Sequence, residues 1–164
     1  MSLSADILRS YRAPRRVLGR HLSAGQREDR ALMYLMLACF LIFIAQWPAM
    51  TRTAEATEVP IDAWRGGALV AVLFVLPLIS YGLALVIWLF LRPFGPISAF
   101  GARLALFWAM LAVSPLMLMQ SALTSVFGAG SPVPQLFGLG VLAAFLIILA
   151  AGLRAALEAG RAAT

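Results

Sequence analysis

Residues 104–153 read LALFWAMLAVSPLMLMQSALTSVFGAGSPVPQLFGLGVLAAFLIILAAGL, fifty positions without a charged side chain between Arg103 and Arg154. As one helix rising 1.5 Å per residue they would measure roughly 75 Å, more than twice a hydrocarbon core of about 30 Å. The segment must fold back on itself. The place is legible, because Gly128-Ala-Gly-Ser-Pro-Val-Pro134 joins glycines that free the backbone to prolines that stop a helix. Two spans result, at about 104–127 and 135–153.

Working outward, two further charge-free runs lie between Arg30 and Arg52 and between Arg65 and Arg92. Each holds the ~20 apolar residues that a crossing helix needs, giving spans at about 31–50 and 66–91. The fold class expected is therefore all-α: an integral membrane bundle of four transmembrane helices. Residues 1–30 form a cytoplasmic basic amphipathic head, residues 31–153 the four-helix transmembrane domain, and residues 154–164 a cytoplasmic tail. A hydrophobic content of 62% and a mean hydropathy of +0.91 exclude a water-soluble fold, since too little polar surface remains to cover one.

Basic residues in short loops stay on the cytoplasmic side. Seven arginines (9, 12, 15, 16, 20, 27 and 30) precede the first span, Arg92 and Arg103 flank the loop between spans two and three, and Arg154 and Arg161 follow the fourth. The opposite loops hold Arg52 and Arg65 against Glu55, Glu58 and Asp62, or no charge at all. Both termini are expected in the cytoplasm. Tryptophan favours the headgroup level, and Trp47 and Trp64 fall at the outer span ends, Trp88 and Trp108 at the inner ones. Thirty residues including Glu28 and Asp29 precede the first span, and no convincing small-residue cleavage site follows it, which argues against a cleaved signal peptide. All thirteen basic residues are Arg, a usage that accompanies GC-rich bacterial genomes, so the bacterial inner membrane is the expected location.

In the head, Leu3, Ile7, Leu8 and Tyr11 recur at helical spacing, and after Pro14 the pattern resumes with Val17, Leu18 and Leu22. Pro14 divides two short helices. Arg9, Arg12, Arg15, Arg16 and Arg20 occupy the other faces, as in a segment lying on an anionic leaflet. Two readings stay open: a lipid or partner surface, or arginines that only set topology. Ser23 and Gln26 read as a capping box starting the helix of the first span.

Other patterns point to packing rather than catalysis. Gly138-Leu-Gly140-Val-Leu-Ala143 matches a dinucleotide fingerprint, yet that motif needs a preceding strand and a later acidic residue. Small residues four apart are the usual device of close helix packing. Ala105 and Ala109 in span three, Gly140 and Ala144 in span four, and Gly152, Ala156 and Gly160 beyond them form such faces. Their partners lie in this chain or another. His21, the one histidine, has no companion ligand at metal spacing and is expected at the surface. Cys39 is the lone cysteine, so no intrachain disulfide forms. Ser80, Ser114 and Ser121 lack an intramembrane base. No enzyme activity, cofactor or metal is expected, nor a nucleic-acid partner.

Pro77 and Pro115 lie near the middles of spans two and three. Each frees the carbonyl four residues back, so both helices are expected to kink. Shape-making in a bundle is one consequence. A path between these spans, near Pro77, Ser80, Ser114, Pro115 and Gln120, is another.

Pro93-Phe94-Gly95, the following SAFGARLALFWAMLAVSPLMLM, and RAPRRVLGRHLSAGQREDRALMYLMLACFLIF in the head resemble the Yip family, polytopic membrane proteins named for interaction with Ypt/Rab GTPases. The resemblance rests on apolar patterning with Gly95, Gly101 and Pro115. The family often has five spans where four are read here, and its usual Gly-Gly is Gly95-Pro96. It implies a helical membrane protein that organises membranes or assists partners. The function expected is a non-catalytic inner-membrane accessory or scaffold protein that binds anionic lipid and another integral membrane protein, with homo-oligomerisation open. The alternative is a small transporter or channel component using the path between spans two and three.

Overall fold

A computed structural model describes residues 3–162; residues 1–2 of the expected head and 163–164 of the expected tail lie outside the described residues. The described chain is helical, with no strand. Two short helices, α1 (Leu3–Ser10) and α2 (Pro14–Ser23), precede a long α3 (Glu28–Thr57). Then come α4 (Ile61–Val70), a five-residue π-helical turn at Ala71–Val75, and α5 (Leu76–Leu91), which together make one continuous rod. A 3₁₀ turn at Arg92–Phe94 leads to α6 (Ala99–Phe127), and α7 (Pro132–Ala162) completes the chain. Four of these rods are long and apolar enough to cross a membrane: 28–57, 61–94, 99–127 and 132–162. The protein is an all-α, multi-pass membrane protein.

α3, α7 and the 61–94 rod outrun the expected spans at both ends, and α6 at its start, because loss of hydropathy ends a membrane crossing without ending a helix. α3 continues to Thr57 through Pro48, helped by Thr51 and Thr53 hydroxyls that donate to the carbonyls of Trp47 and Ala49, at 2.9 Å each. It stops at Glu58, whose left-handed φ of 55° breaks the ladder two residues before Pro60. α6 starts at Ala99 because the Ser98 hydroxyl accepts the Gly101 N–H at 2.9 Å, an N-cap the sequence reading did not single out. The reversal at Gly128 (φ 83°) is as expected, and α7 begins on Pro132, where a missing N–H costs no helical bond. Residues 154–162 of the expected tail are helical and continue α7 as its last turns.

The two prolines are accommodated differently. Pro77 sits at the start of α5, and the π turn just before it widens the helix where the proline ring would press on the Leu73 carbonyl. Pro115 lies within unbroken α6, and the carbonyl it deprives of an N–H partner is that of Leu111. The Ser114 hydroxyl donates to that carbonyl at 2.8 Å.

α6 is the axis of the bundle. In its most apolar stretch 67% of residues are buried, against 17–28% in the other three rods, and it packs on α3, α5 and α7. Small residues permit the approach to α7. A Cβ on Gly152 would stand 3.2 Å from that of Ala105, and one on Gly101 3.0 Å from that of Ala156. The outward face of α5 carries Leu78, Leu85, Val86, Leu89 and Phe90, and the π turn before it Phe74, with most of their surface exposed, as suits contact with lipid.

Candidate functional site: the docked basic head

α1 and α2 form a helical hairpin turned at residues 11–13 and laid against one end of the bundle. Pro14 opens α2, as the sequence reading placed it. The inward stripe is Leu3, Ile7 and Ser10 on α1 with Val17, Leu18 and Leu22 on α2; Val17 and Leu18 are each 1% exposed. Burial of such a side chain from water is worth about 1.5–3 kcal/mol, enough to hold a short hairpin. Leu8, expected on that stripe, instead turns outward at 68% exposed, since only one face of an eight-residue helix meets the bundle.

Polar contacts set the register. Trp108 Nε1 donates to Ser10 Oγ at 2.9 Å, and Ser10 in turn donates to the Asp6 carbonyl at 2.8 Å. The Tyr11 hydroxyl donates to the Ala112 carbonyl, and burial raises its pKa above the usual phenol range. Trp108, read as a headgroup-level tryptophan, is 1% exposed because the head covers it. Trp47 and Trp64, by contrast, keep exposed rings, with Arg65 stacked 4.6 Å over Trp47.

His21 corrects the expectation of a surface residue. Its ring lies 4.7 Å from that of Trp108 and 5.5 Å from that of Tyr34, and its side chain is 13% exposed. Asp6 Oδ2 stands 3.8 Å from Nε2, and the Tyr34 hydroxyl 3.3 Å from Nδ1. Desolvation lowers its pKa below the usual imidazole value; Asp6 opposes that shift, and Arg30 and Arg20 add to it. The Ser23–Gln26 capping box does not form either. Ser23 donates back to the Arg20 carbonyl at 3.0 Å, and α3 starts after Arg27 without a side-chain cap.

The five arginines divide by partner. Arg20 pairs with Asp6 at 3.1 Å and Arg9 with the same carboxylate at 3.9 Å. Arg15 pairs with Glu158 of α7. Arg12 and Arg16 have no acidic partner among the described residues. Arg9, Arg12, Arg16 and Arg20 surround an outward groove of about 1040 Å³ floored by Leu8, Tyr11 and Val17. Cations rimming an apolar floor suit a phosphate-bearing amphiphile.

The remaining site residues fall as follows. Ala105, Gly152 and Ala156 lie in the α6–α7 seam, Ala109 is buried in α6, and Ala144 is half-buried against the core. Gly140 is exposed, and a Cβ there would meet open space; Gly138, two residues earlier, is the one that seats the Gln120 amide. Between α5 and α6, Ser80 donates to the Leu76 carbonyl at 2.7 Å and Ser114 is fully buried on its own helix. Gln120 instead lines a cavity between α3, α6 and α7. Among the described residues no three His, Cys, Asp or Glu side chains gather as metal ligands would.

Comparison with protein-family models, with curated proteins and with solved structures returns no match for this chain. The fold and site define a four-span helical membrane protein carrying a basic head docked on its own bundle.

Proposed function

We propose that the protein is a non-catalytic accessory or scaffold protein of the bacterial inner membrane, of the kind the Yip resemblance implies, with both termini cytoplasmic. Its head grips anionic lipid, and its lipid-facing helices bind another integral membrane protein. The arginine-rimmed groove carries this reading, because Arg12 and Arg16 are held over apolar side chains with no carboxylate among the described residues to neutralise them. Topology alone asks for charge but not for a groove. Docking turns the apolar stripe inward to the bundle, which leaves the arginine face for the leaflet.

The test is lipid retention by the full chain. Protein stripped progressively of lipid should keep phosphatidylglycerol in preference to phosphatidylcholine. Changing Arg12 and Arg16 together to Gln should lower that preference by about tenfold or more, at ~1 kcal/mol per arginine. Equal retention of both lipids by the unaltered protein would remove the lipid part of the proposal. For the partner, gentle extraction of a tagged copy should bring down a second membrane protein in fixed ratio. The second reading, a transporter component, draws support from the cavity at Gln120, although that cavity is walled by α3, α6 and α7 rather than by the kinked spans two and three.

A further inference from the structure

The head fills the gap between α3 and α7 at one end of the bundle, touching Tyr34 on α3, Trp108 on α6 and Gly152 on α7. In the distal half, towards the Gly128 reversal, no described residue of the head fills the same gap. Two cavities adjoin there, one of about 340 Å³ between α3, α6 and α7 and one of about 350 Å³ between α3 and α6, and Ile42, Met117 and Gln120 line both, which makes them neighbouring parts of one cleft. Each is within the roughly 300–1,000 Å³ range of ligand sites.

We propose that this cleft binds an amphiphile made of an alkyl chain and an anionic head. The lining is graded along one direction. Val113, Val141 and Phe145 make the deep part apolar; then come the amides of Gln46 and Gln120; and the mouth ends on Arg52. The half-buried Gln120 amide has no hydrogen-bond partner within the described chain, while Gln46 stands exposed beside Trp47 at the outer span end. A polar group at membrane depth is costly unless something satisfies it, so Gln120 marks where a ligand's carbonyl or hydroxyl group belongs, with Gln46 following towards the interface. Arg52 donates to Ser125 Oγ at 3.3 Å and has no acidic partner among the described residues, which leaves a cation for the head. The site is separate from the head groove and stands whether or not that groove binds lipid.

Labelling of the full chain in phosphatidylcholine nanodiscs tests this. Three probes carry the same terminal diazirine: palmitic acid, phosphatidylglycerol with a palmitoyl chain, and the fatty alcohol. Both acidic probes should label the cleft peptides around Val113 and Val141 at least about threefold above the alcohol, as a partly exposed ion contact allows. The stronger of the two identifies the source, free acid or lipid. Arg52→Gln should bring acidic labelling down to the alcohol level, and Leu142→Trp at the rim should lower labelling by all three. Both positions are exposed, so neither change threatens the core, and an unchanged melting temperature verifies this. Equal labelling by acid and alcohol, or labelling indifferent to Arg52→Gln, would overturn the proposal and leave an ordinary lipid-facing furrow. Protection of the cleft by a copurifying helix would overturn it as well.

Discussion

Gly152 of α7 lies directly against Leu18 of α2: a Cβ at position 152 would stand 2.9 Å from Leu18 Cδ2. The same missing side chain admits Ala105 of α6 from the other side. One glycine therefore serves two joints, the α6–α7 seam and the docking of the head. Gly152→Leu should cost about 1–3 kcal/mol by overpacking and loosen the head more than the bundle. Amide exchange across residues 3–23 should quicken in this variant while that of α3 changes little. Uniform quickening throughout the chain would mean that the seam, not the head, depends on Gly152.

Ser10→Ala removes the acceptor of the Trp108 indole N–H in a fully buried position. An orphaned buried donor costs about 1–3 kcal/mol, and with it the head should undock part of the time. The expected outcome is a lower melting temperature in detergent and earlier proteolysis after the head arginines. Ser10→Thr keeps the hydroxyl and should retain most of the protection.

Docking should also weaken in acid. The docked state holds His21 at a depressed pKa, chiefly through desolvation, with Asp6 opposing and Arg30 and Arg20 reinforcing. A depressed folded pKa means that the neutral ring is favoured when docked. Its contribution is complete above the undocked value of about 6.5 and is lost as pH falls through 6.5 towards the lower docked value. Proteolysis of the head should accelerate between pH 7.5 and 5.5, and His21→Gln should flatten that response. An identical pH profile in the variant would place the sensitivity on another group.

The crossings were legible because charge placement alone decides them. From Arg30, Arg52, Arg65, Arg92, Arg103 and Arg154 the four spans follow, and the Gly128–Pro134 break follows from chain length against bilayer thickness. Docking of the head was not legible. The period of Leu3, Ile7, Val17 and Leu18 demands an apolar partner and is the same whether that partner is lipid or protein. What distinguishes them is Trp108 meeting Ser10 across 98 residues of sequence, and no local pattern records that contact. Gly138 was likewise hidden behind Gly140, since spacing four apart identifies a face only when the neighbouring helix is already known. Pro48 passed unremarked because its place near the end of an expected span gave it no kink to explain.

The small residues of α7 should separate into two kinds when enlarged. A Cβ at Gly160 would overlap the Pro96 carbonyl oxygen, a backbone atom of the loop before α6 that cannot rotate aside. Gly160→Ala should therefore displace the last turn of α7 or the 95–98 loop and cost about 1–3 kcal/mol, visible as a lower melting temperature of the purified protein. A Cβ at Gly140 would meet open space, so Gly140→Leu should leave that temperature unchanged and, with Leu favoured in lipid, leave insertion intact. Its effect belongs to other molecules. If the outward face of α7 holds a partner by close packing, Gly140→Leu should abolish copurification at unchanged stability, because apolar helices in lipid gain affinity from close approach and not from hydrophobic burial. Retention of the same partner by this variant would assign the contact elsewhere, first to the exposed face of α5.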